Sequence, residues 1–184
     1  MRASGILLPI SSLPSPYGIG TLGRSAYEFV DFLKEAGQKY WQVLPVGPTS
    51  YGDSPYQSFS TFAGNPYFID LDMLCQQGLL TKEECEEYSW GENPEAVDYE
   101  ALWNARFLVL RKAFERGREN PEIAAFREEN KQWIEDYALY MAVKAQMENR
   151  ARIEWDEDIR LRRPEAMERY RKELADDIDF YVFI

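Results

Sequence analysis

Residues 45–67 set the tightest limit on what this chain can fold into. Pro45, Pro48, Pro55 and Pro66 stand there with Gly47, Gly52 and Gly64. Prolines at that density break a continuous helix and deny a central strand its ladder donors. Yet Tyr51, Tyr56, Phe59, Phe62 and Tyr67 recur through the same stretch. Loops of this length are uncommon, and those that occur are functional or disordered. The aromatic content argues against disorder, so the stretch reads as a shaped, rigid surface loop. Flat rings interleaved with Asp, Ser, Thr, Gln and Asn suit a sugar. Rings cover the apolar C–H face of a pyranose, and short polar groups take its hydroxyls. The other reading is a stiff connection whose rings pack on the core, and the residues alone leave both open.

A chain of 184 residues suits one globular domain. Its net charge of −11 disfavours binding to nucleic acid or to an anionic membrane. The charge is uneven. Arg2, Arg24, Lys34 and Lys39 against Glu28, Asp31, Glu35, Asp53 and Asp70 leave −1 in residues 1–70, so −10 falls in 71–184. That second part should be largely solvated helix surface. The sequence has no histidine. This excludes a Ser-His-Asp triad, a Cys-His pair and any His-ligated metal within the chain. Cys75 and Cys85 are too few for a disulfide scaffold or a four-cysteine zinc site, and free thiols in a reducing compartment are expected. The apolar run near the N-terminus is short and is cut by Pro9, unlike a signal peptide. No run approaches membrane-spanning length, and a cytoplasmic location is the default.

Hydrophobic spacing predicts the order of elements. Residues 5–8 read as a buried parallel strand, followed by a Pro/Gly/Ser loop with Tyr17. Leu22, Ala26, Phe29, Val30, Leu33 and Ala36 fall at helical spacing, with Gly37 placed to stop the helix. Residues 40–44 read as a second strand, ended by Pro45. This is a βαβ unit whose elaborated loops follow its strands, the edge where barrels and open α/β sheets hold their sites. Downstream, residues 68–71 read as a brief extended piece and 72–80 as a helix closed by Gly78. Thr81-Lys82-Glu83-Glu84 is a capping box opening a further helix. Residues 89–98 read as a linker and 99–116 as an amphipathic helix stopped by Gly117. Asn120-Pro121 starts another, and 131–147 is a separate helix or its continuation. Residues 148–158 read as irregular around Trp155. A last helix opens at Arg163-Pro164, with Met167, Tyr170, Leu174 and Ile178 on one face. Its apolar end, Ile178-Asp179-Phe180-Tyr181-Val182-Phe183-Ile184, has no cap or glycine. Complete soluble domains avoid such exposed patches, so the chain is expected to be a piece of a longer protein.

Several strings here resemble those of a known family. They are Ser4-Gly5-Ile6-Leu7-Leu8-Pro9, Ser12-Leu13-Pro14-Ser15-Pro16-Tyr17-Gly18-Ile19-Gly20, Tyr40-Trp41-Gln42-Val43-Leu44-Pro45, Gly47-Pro48-Thr49, Tyr51-Gly52-Asp53-Ser54-Pro55-Tyr56-Gln57-Ser58-Phe59-Ser60 and Ala63-Gly64-Asn65-Pro66-Tyr67. Together they resemble the 4-α-glucanotransferases, or amylomaltases, of glycoside hydrolase family 77. The resemblance covers residues 4–72 and weakens through Tyr137-Ala138-Leu139-Tyr140-Met141-Ala142, Trp155 and the final helix. Members often carry histidine after the Leu-Leu pair. Pro9 stands there in this sequence, which reads as a subfamily variant.

The resemblance implies a fold of class α/β: a partial (β/α)8 TIM barrel followed by a mostly helical inserted subdomain. Residues 1–70 would start the barrel with its substrate-lining loops. Residues 71–163 would be the insertion, and 164–184 a helix returning to the barrel. It implies transfer of α-1,4-glucan segments between maltooligosaccharides with retention of configuration, and no metal or organic cofactor. Retention needs two carboxyls about 5–5.5 Å apart, one nucleophile and one acid/base. None of the family's motifs for them occurs here, so no catalytic residue is assigned and the chain alone is expected to be inactive. Carried over by position, Tyr56 stacks on the sugar ring at the cleavage site. Asp53, Ser54 and Gln57 shape the loop and bond hydroxyls, and Asp53 lines the donor sites rather than attacking. Tyr51 contacts glucan further out, and Trp103 either pairs with it as an accessory platform or packs. Trp41 and Trp155 read as core, while Tyr17 reads equally as rim structure or substrate contact. The implied partners are maltooligosaccharides, α-1,4-glucans and the remainder of the chain's own polypeptide. The alternatives are a glucan-binding module without chemistry and an acidic helical interaction domain.

Overall fold

A computed structural model describes residues 2–50 and 52–184, which fall into two compact units, Met1–Ala113 and Phe114–Ile184. The first unit opens with strand β1 (Gly5–Leu7) and strand β2 (Tyr40–Gln42), paired in parallel with Ile6 opposite Trp41. Leu8 N–H donates to the Gln42 carbonyl at 3.0 Å, which extends the pairing by one rung. Gly5 is required, because a Cβ there would sit 2.4 Å from the Tyr40 carbonyl oxygen. Helix α1 (Arg24–Glu35) joins the strands, as the spacing predicts. Its end is a Schellman turn: Gly37 takes φ +68°, Gly37 N–H bonds Lys34 and Gln38 N–H bonds Leu33. Beneath the strands and α1, Ile10, Leu13 and Ala26 form a small core with Leu8, Phe29, Trp41 and Phe68 packed against it. Trp41 therefore serves as core. Its edge meets Phe29 at 5.0 Å, and its Nε1 donates to the Leu8 carbonyl at 2.8 Å. The strands are not buried as expected. Leu7 is 55% exposed and Tyr40 66%, although parallel strands are normally covered on both faces.

The elements that follow in this unit are helical. A 3₁₀ turn (Pro66–Phe68) precedes helix α2 (Leu71–Gln76), helix α3 (Lys82–Glu86) and helix α4 (Tyr99–Gly117), which runs on into the second unit. Of the predicted extended piece at 68–71, Ile69 and Asp70 take extended backbone, while Phe68 closes the 3₁₀ turn and Leu71 starts α2. Asp70 also caps α2, its Oδ1 accepting from Met73 N–H at 2.8 Å. The Thr81–Glu84 capping box forms with both reciprocal bonds. Gly117 belongs to α4 rather than following it, and the turn closes at Asn120, whose N–H bonds the Gly117 carbonyl.

The second unit packs helix α5 (Pro121–Glu129), helix α6 (Ile134–Gln146), helix α7 (Glu157–Arg160), helix α8 (Pro164–Glu173) and helix α9 (Ala175–Phe183). Asn120 caps α5 as predicted, and residues 130–133 separate it from α6. The stretch 148–158 is more ordered than expected, with a 3₁₀ turn at Arg152–Glu154 and the start of α7. Trp155 is core, its ring 5.3 Å from Tyr140. The single last helix of the sequence reading is two, broken at Leu174 (φ −107°, ψ 21°). The break lets α9 bury two sides. Ile178 and Val182 enter one core cluster with Met167, Tyr170 and Leu174, while Phe180 meets the Phe114 ring at 5.7 Å. The apolar end predicted to be exposed is thus covered at Ile178, Phe180 and Val182. Arg127 ties three helices: it pairs with Glu135 of α6 and donates to Asp179 of α9 at 2.6 Å. Among the described residues, no helix is long and apolar enough to cross a membrane.

Two glycines separate backbone strain from lack of room. Gly37 has open space around its missing Cβ, so Gly37→Ala meets only the left-handed backbone cost, about 1 kcal/mol. Gly20 is packed so that a Cβ would lie 2.0 Å from the Ile10 carbonyl oxygen. Gly20→Ala is expected to cost more, roughly 2–4 kcal/mol, through forced displacement of the first loop. Urea denaturation of both variants checks the order, and equal losses would refute it.

Candidate functional site

The loop between β2 and the 3₁₀ turn holds its shape with its own hydrogen bonds. Asn65 N–H donates to the Val46 carbonyl at 2.8 Å and closes the neck. Gly47 lets the two arms approach, since a Cβ there would lie 2.7 Å from Ser58 Oγ. Above it Thr49 and Ser58 form an antiparallel bridge, and Ser50 N–H reaches the Gln57 carbonyl at 3.2 Å. The tip turns tightly: Gly52 (φ +90°) and Asp53 (φ +54°) both take the left-handed region, and Asp53 N–H returns to the Ser50 carbonyl at 3.0 Å. Serine side chains take the place of secondary structure on the descending arm. Ser60 Oγ accepts from Phe62 N–H at 3.2 Å and Ala63 N–H at 3.0 Å. The loop therefore needs few of its rings in a core to stay in place.

Tyr56 is 73% exposed at the top of this loop, its face open to a ligand. Among the described rings of the loop, Tyr67, at the base, is the one buried. Ser54 is half-buried and its Oγ accepts from Tyr56 N–H at 3.4 Å, so it sets the backbone beneath the ring. Gln57 is exposed beside it. The half-buried Asp53 carboxylate accepts from Thr49 Oγ1 at 3.5 Å. Desolvation pushes its pKa above the ordinary carboxylate value, and the Thr49 hydroxyl opposes this. Its negative charge adds to burial in raising Tyr67 to about 12 and in raising Tyr99. Trp103 is 51% exposed on α4, its ring 5.9 Å from Phe107, which in turn meets Tyr67 at 6.0 Å. Tyr51, the partner expected for Trp103, lies outside the described residues. Tyr17 is buried, with its hydroxyl donating to Asp72 Oδ1 at 2.6 Å and its ring against Trp90 at 5.8 Å. Of its two readings, rim structure stands and open substrate contact does not.

The sequence reading missed the groups that hold the loop's exit. Thr21 Oγ1 donates to Asp70 Oδ2 at 2.5 Å, and Leu22 N–H donates to the Phe68 carbonyl at 2.9 Å, so the two Pro/Gly-rich loops join at 68–70. Behind them lies Arg106, with no exposed surface. Its Nη2 donates to the Tyr67 carbonyl at 3.0 Å and its Nη1 to the Ile69 carbonyl at 3.3 Å. Its guanidinium carbon stands 5.3 Å from the Trp90 ring centroid. Burial pushes its pKa down to about 10 while the Asp70 charge opposes the fall, so it stays charged near neutrality. A signal was present: Arg106 falls on the same apolar stripe of α4 as Leu102, Ala105, Val109 and Leu110.

Chemically, the loop presents an exposed ring at Tyr56 beside the polar side chains of Asp53, Ser54 and Gln57. The loop carries one carboxylate, Asp53, whereas retaining glycoside cleavage needs two. Among the described residues, no group of three or more His, Cys, Asp or Glu side chains is arranged to hold a metal ion. Cys75 and Cys85 are free thiols with sulfurs 3.9 Å apart, and burial pushes Cys85 up to about 12.

The family described as 4-alpha-glucanotransferase, glycoside hydrolase family 77, matches residues 8–184. The 4-alpha-glucanotransferase of Clostridium butyricum is 52% identical over 177 residues, covering 95% of this chain and 36% of that protein. That of Thermus thermophilus is 46% identical, covering 99% of this chain and 37% of its own. The solved structure of amylomaltase from Streptococcus agalactiae in complex with acarbose superposes with a TM-score of 0.93 at 45% identity, over 100% of this chain and 38% of that one. The chain thus spans about a third of the length of the relatives it matches. With its α/β opening, its paired parallel strands and its self-supporting tyrosine loop, this chain belongs to the 4-α-glucanotransferase family.

Proposed function

We propose that the whole protein moves α-1,4-glucan segments between maltooligosaccharides with retention of configuration, and that this chain supplies part of the sugar-binding rim. One observation carries the reading: Tyr56 stands 73% exposed on a loop fixed by its own hydrogen bonds. In this reading its ring covers the apolar face of the glucose unit at the cleavage site. Asp53, Ser54 and Gln57 take hydroxyls beside it, and Tyr51 with Trp103 forms an accessory platform further along the glucan. The two carboxylates that do the chemistry lie outside these 184 residues. Residues 1–70 begin a (β/α)8 barrel, 71–163 are a mostly helical insertion, and 164–184 lead back to the barrel. The open faces of β1 and β2 are covered by the remainder of the polypeptide. The free thiols suit a cytoplasmic setting, and the net charge of −11 suits neither nucleic acid nor anionic lipid.

Maltotriose disproportionation tests this. The full-length protein is expected to turn over, and the 184-residue chain alone is not. In the full-length protein Tyr56→Ala should lower kcat/KM by about tenfold or more, with stability unchanged within about 0.5 kcal/mol. Turnover by the short chain, or a Tyr56→Ala enzyme of full efficiency, would refute the assignment.

Asp53 gives a pH-dependent check. Its folded pKa is raised above the ordinary value, so the folded state favours the protonated acid. The stability this contributes is present at low pH and is lost as pH rises through the folded pKa. Asn keeps the tolerance for a left-handed backbone and mimics the neutral acid. Asp53→Asn is therefore expected to be as stable as the parent, or more so, at pH 7, with the difference closing below the ordinary carboxylate range. Thermal melts across pH 3–7 measure it, and a loss of stability confined to pH 7 would contradict the electrostatics.

A further inference from the structure

We infer that Arg106 is the positioning residue of the glucan loop: through the Tyr67 and Ile69 carbonyls it fixes the post from which Tyr56 is displayed. The inference rests on the reading of that loop as a glucan site.

The contacts form an unbroken path. Arg106 Nη2 and Nη1 take the carbonyls of Tyr67 and Ile69. Between these, the Phe68 carbonyl is taken from the first loop by Leu22 N–H. Three successive carbonyls are thus held, two of them by one rigid guanidinium. Tyr67 N–H then donates to Asn65 Oδ1 at 3.0 Å, and Asn65 N–H closes the neck on the Val46 carbonyl at 2.8 Å. The arms meet again at the Thr49–Ser58 bridge, two residues below Tyr56. A shift of the post therefore moves the ring that meets the sugar.

The energetics favour a positional role over a packing one. Arg106 has no exposed surface and an Nε without a hydrogen-bond partner, and the Asp70 charge offsets only part of the cost of its burial. A buried charge so placed is unfavourable, and an apolar side chain of similar size would fill the site more cheaply. What an apolar residue lacks is a planar fork that meets two carbonyls at fixed spacing. Lysine lacks it too, since an ammonium is a point donor.

The test compares Arg106→Met, Arg106→Lys and a control, Leu110→Ala, in the full-length protein. Leu110 is equally buried on the same helix but has no group to donate to either carbonyl, so Leu110→Ala reports loss of stability alone. Two quantities are read well below each melting temperature: KM and kcat for maltotriose, and hydrogen exchange of the amides in 45–67. Arg106→Met is expected to raise KM on the order of tenfold with a smaller change in kcat, and to speed exchange in that loop. Arg106→Lys should recover part of both, and Leu110→Ala should show neither. Exchange and KM in Arg106→Met that match Leu110→Ala would overturn the inference. If Arg106→Met does not fold, Arg106→Lys against Leu110→Ala decides it by the same two readings. Should the parent protein fail to turn over maltotriose, the proposed function falls, and loop exchange still decides the role of Arg106.

Discussion

The tyrosine loop depends on a fully buried charge. Arg106 lies fully inside the first unit and gives two hydrogen bonds to backbone carbonyls where that loop ends. Backbone groups out of reach of water must find partners, and a segment leaving a loop has no ladder to supply them. Here a side chain takes the part of a neighbouring strand. Asp70 completes the junction from the other side, capping α2 with one oxygen and accepting from Thr21 with the other. Three chain segments meet there, and each settles a backbone or side-chain polar group of another. Tyr17 on Asp72 repeats the device two residues further along.

Above this junction the loop is stiffened locally rather than by burial. Ser58 and Ser60 bond the backbone of their own arm, and Asn65 bonds both its neck and its base. That arrangement frees the ring of Tyr56 for the outside, since the loop does not need it for cohesion. A binding surface formed before its ligand arrives loses little conformational freedom on association. The left-handed backbone at Gly52 and Asp53 is a local cost accepted at the tip. The partly desolvated carboxylate of Asp53 is another. Both fall on the part of the loop proposed to meet the sugar.

Much of this was legible from residue order because the signals were local. The βαβ opening followed from two apolar runs and one helical period, and its end from Gly37. The Thr81 capping box and the Asn120-Pro121 start are contained in four residues or fewer. The loop was legible through proline and glycine, whereas Tyr56 was singled out only by the resemblance to the 4-α-glucanotransferases. What escaped notice was non-local. Asp70 is extended as its surroundings suggest, but its cap bond becomes visible only once α2 exists. Arg106 sat on an apolar stripe, yet nothing in its neighbours names carbonyls 37 and 39 positions earlier. The break at Leu174 escaped because periodicity alone fits one face, while α9 buries two. The exposure of β1 and β2 escaped for the opposite reason: apolar composition states what a strand requires, not what covers it within this chain.

If the loop is a finished cradle before any sugar arrives, crystal structures of the full-length protein with and without maltoheptaose should agree there. A glucose ring is expected to lie against Tyr56, with the backbone of 45–67 displaced by about 1 Å or less between the two. A loop that rearranges by more than roughly 2 Å, or a bound glucan that leaves Tyr56 untouched, would contradict it.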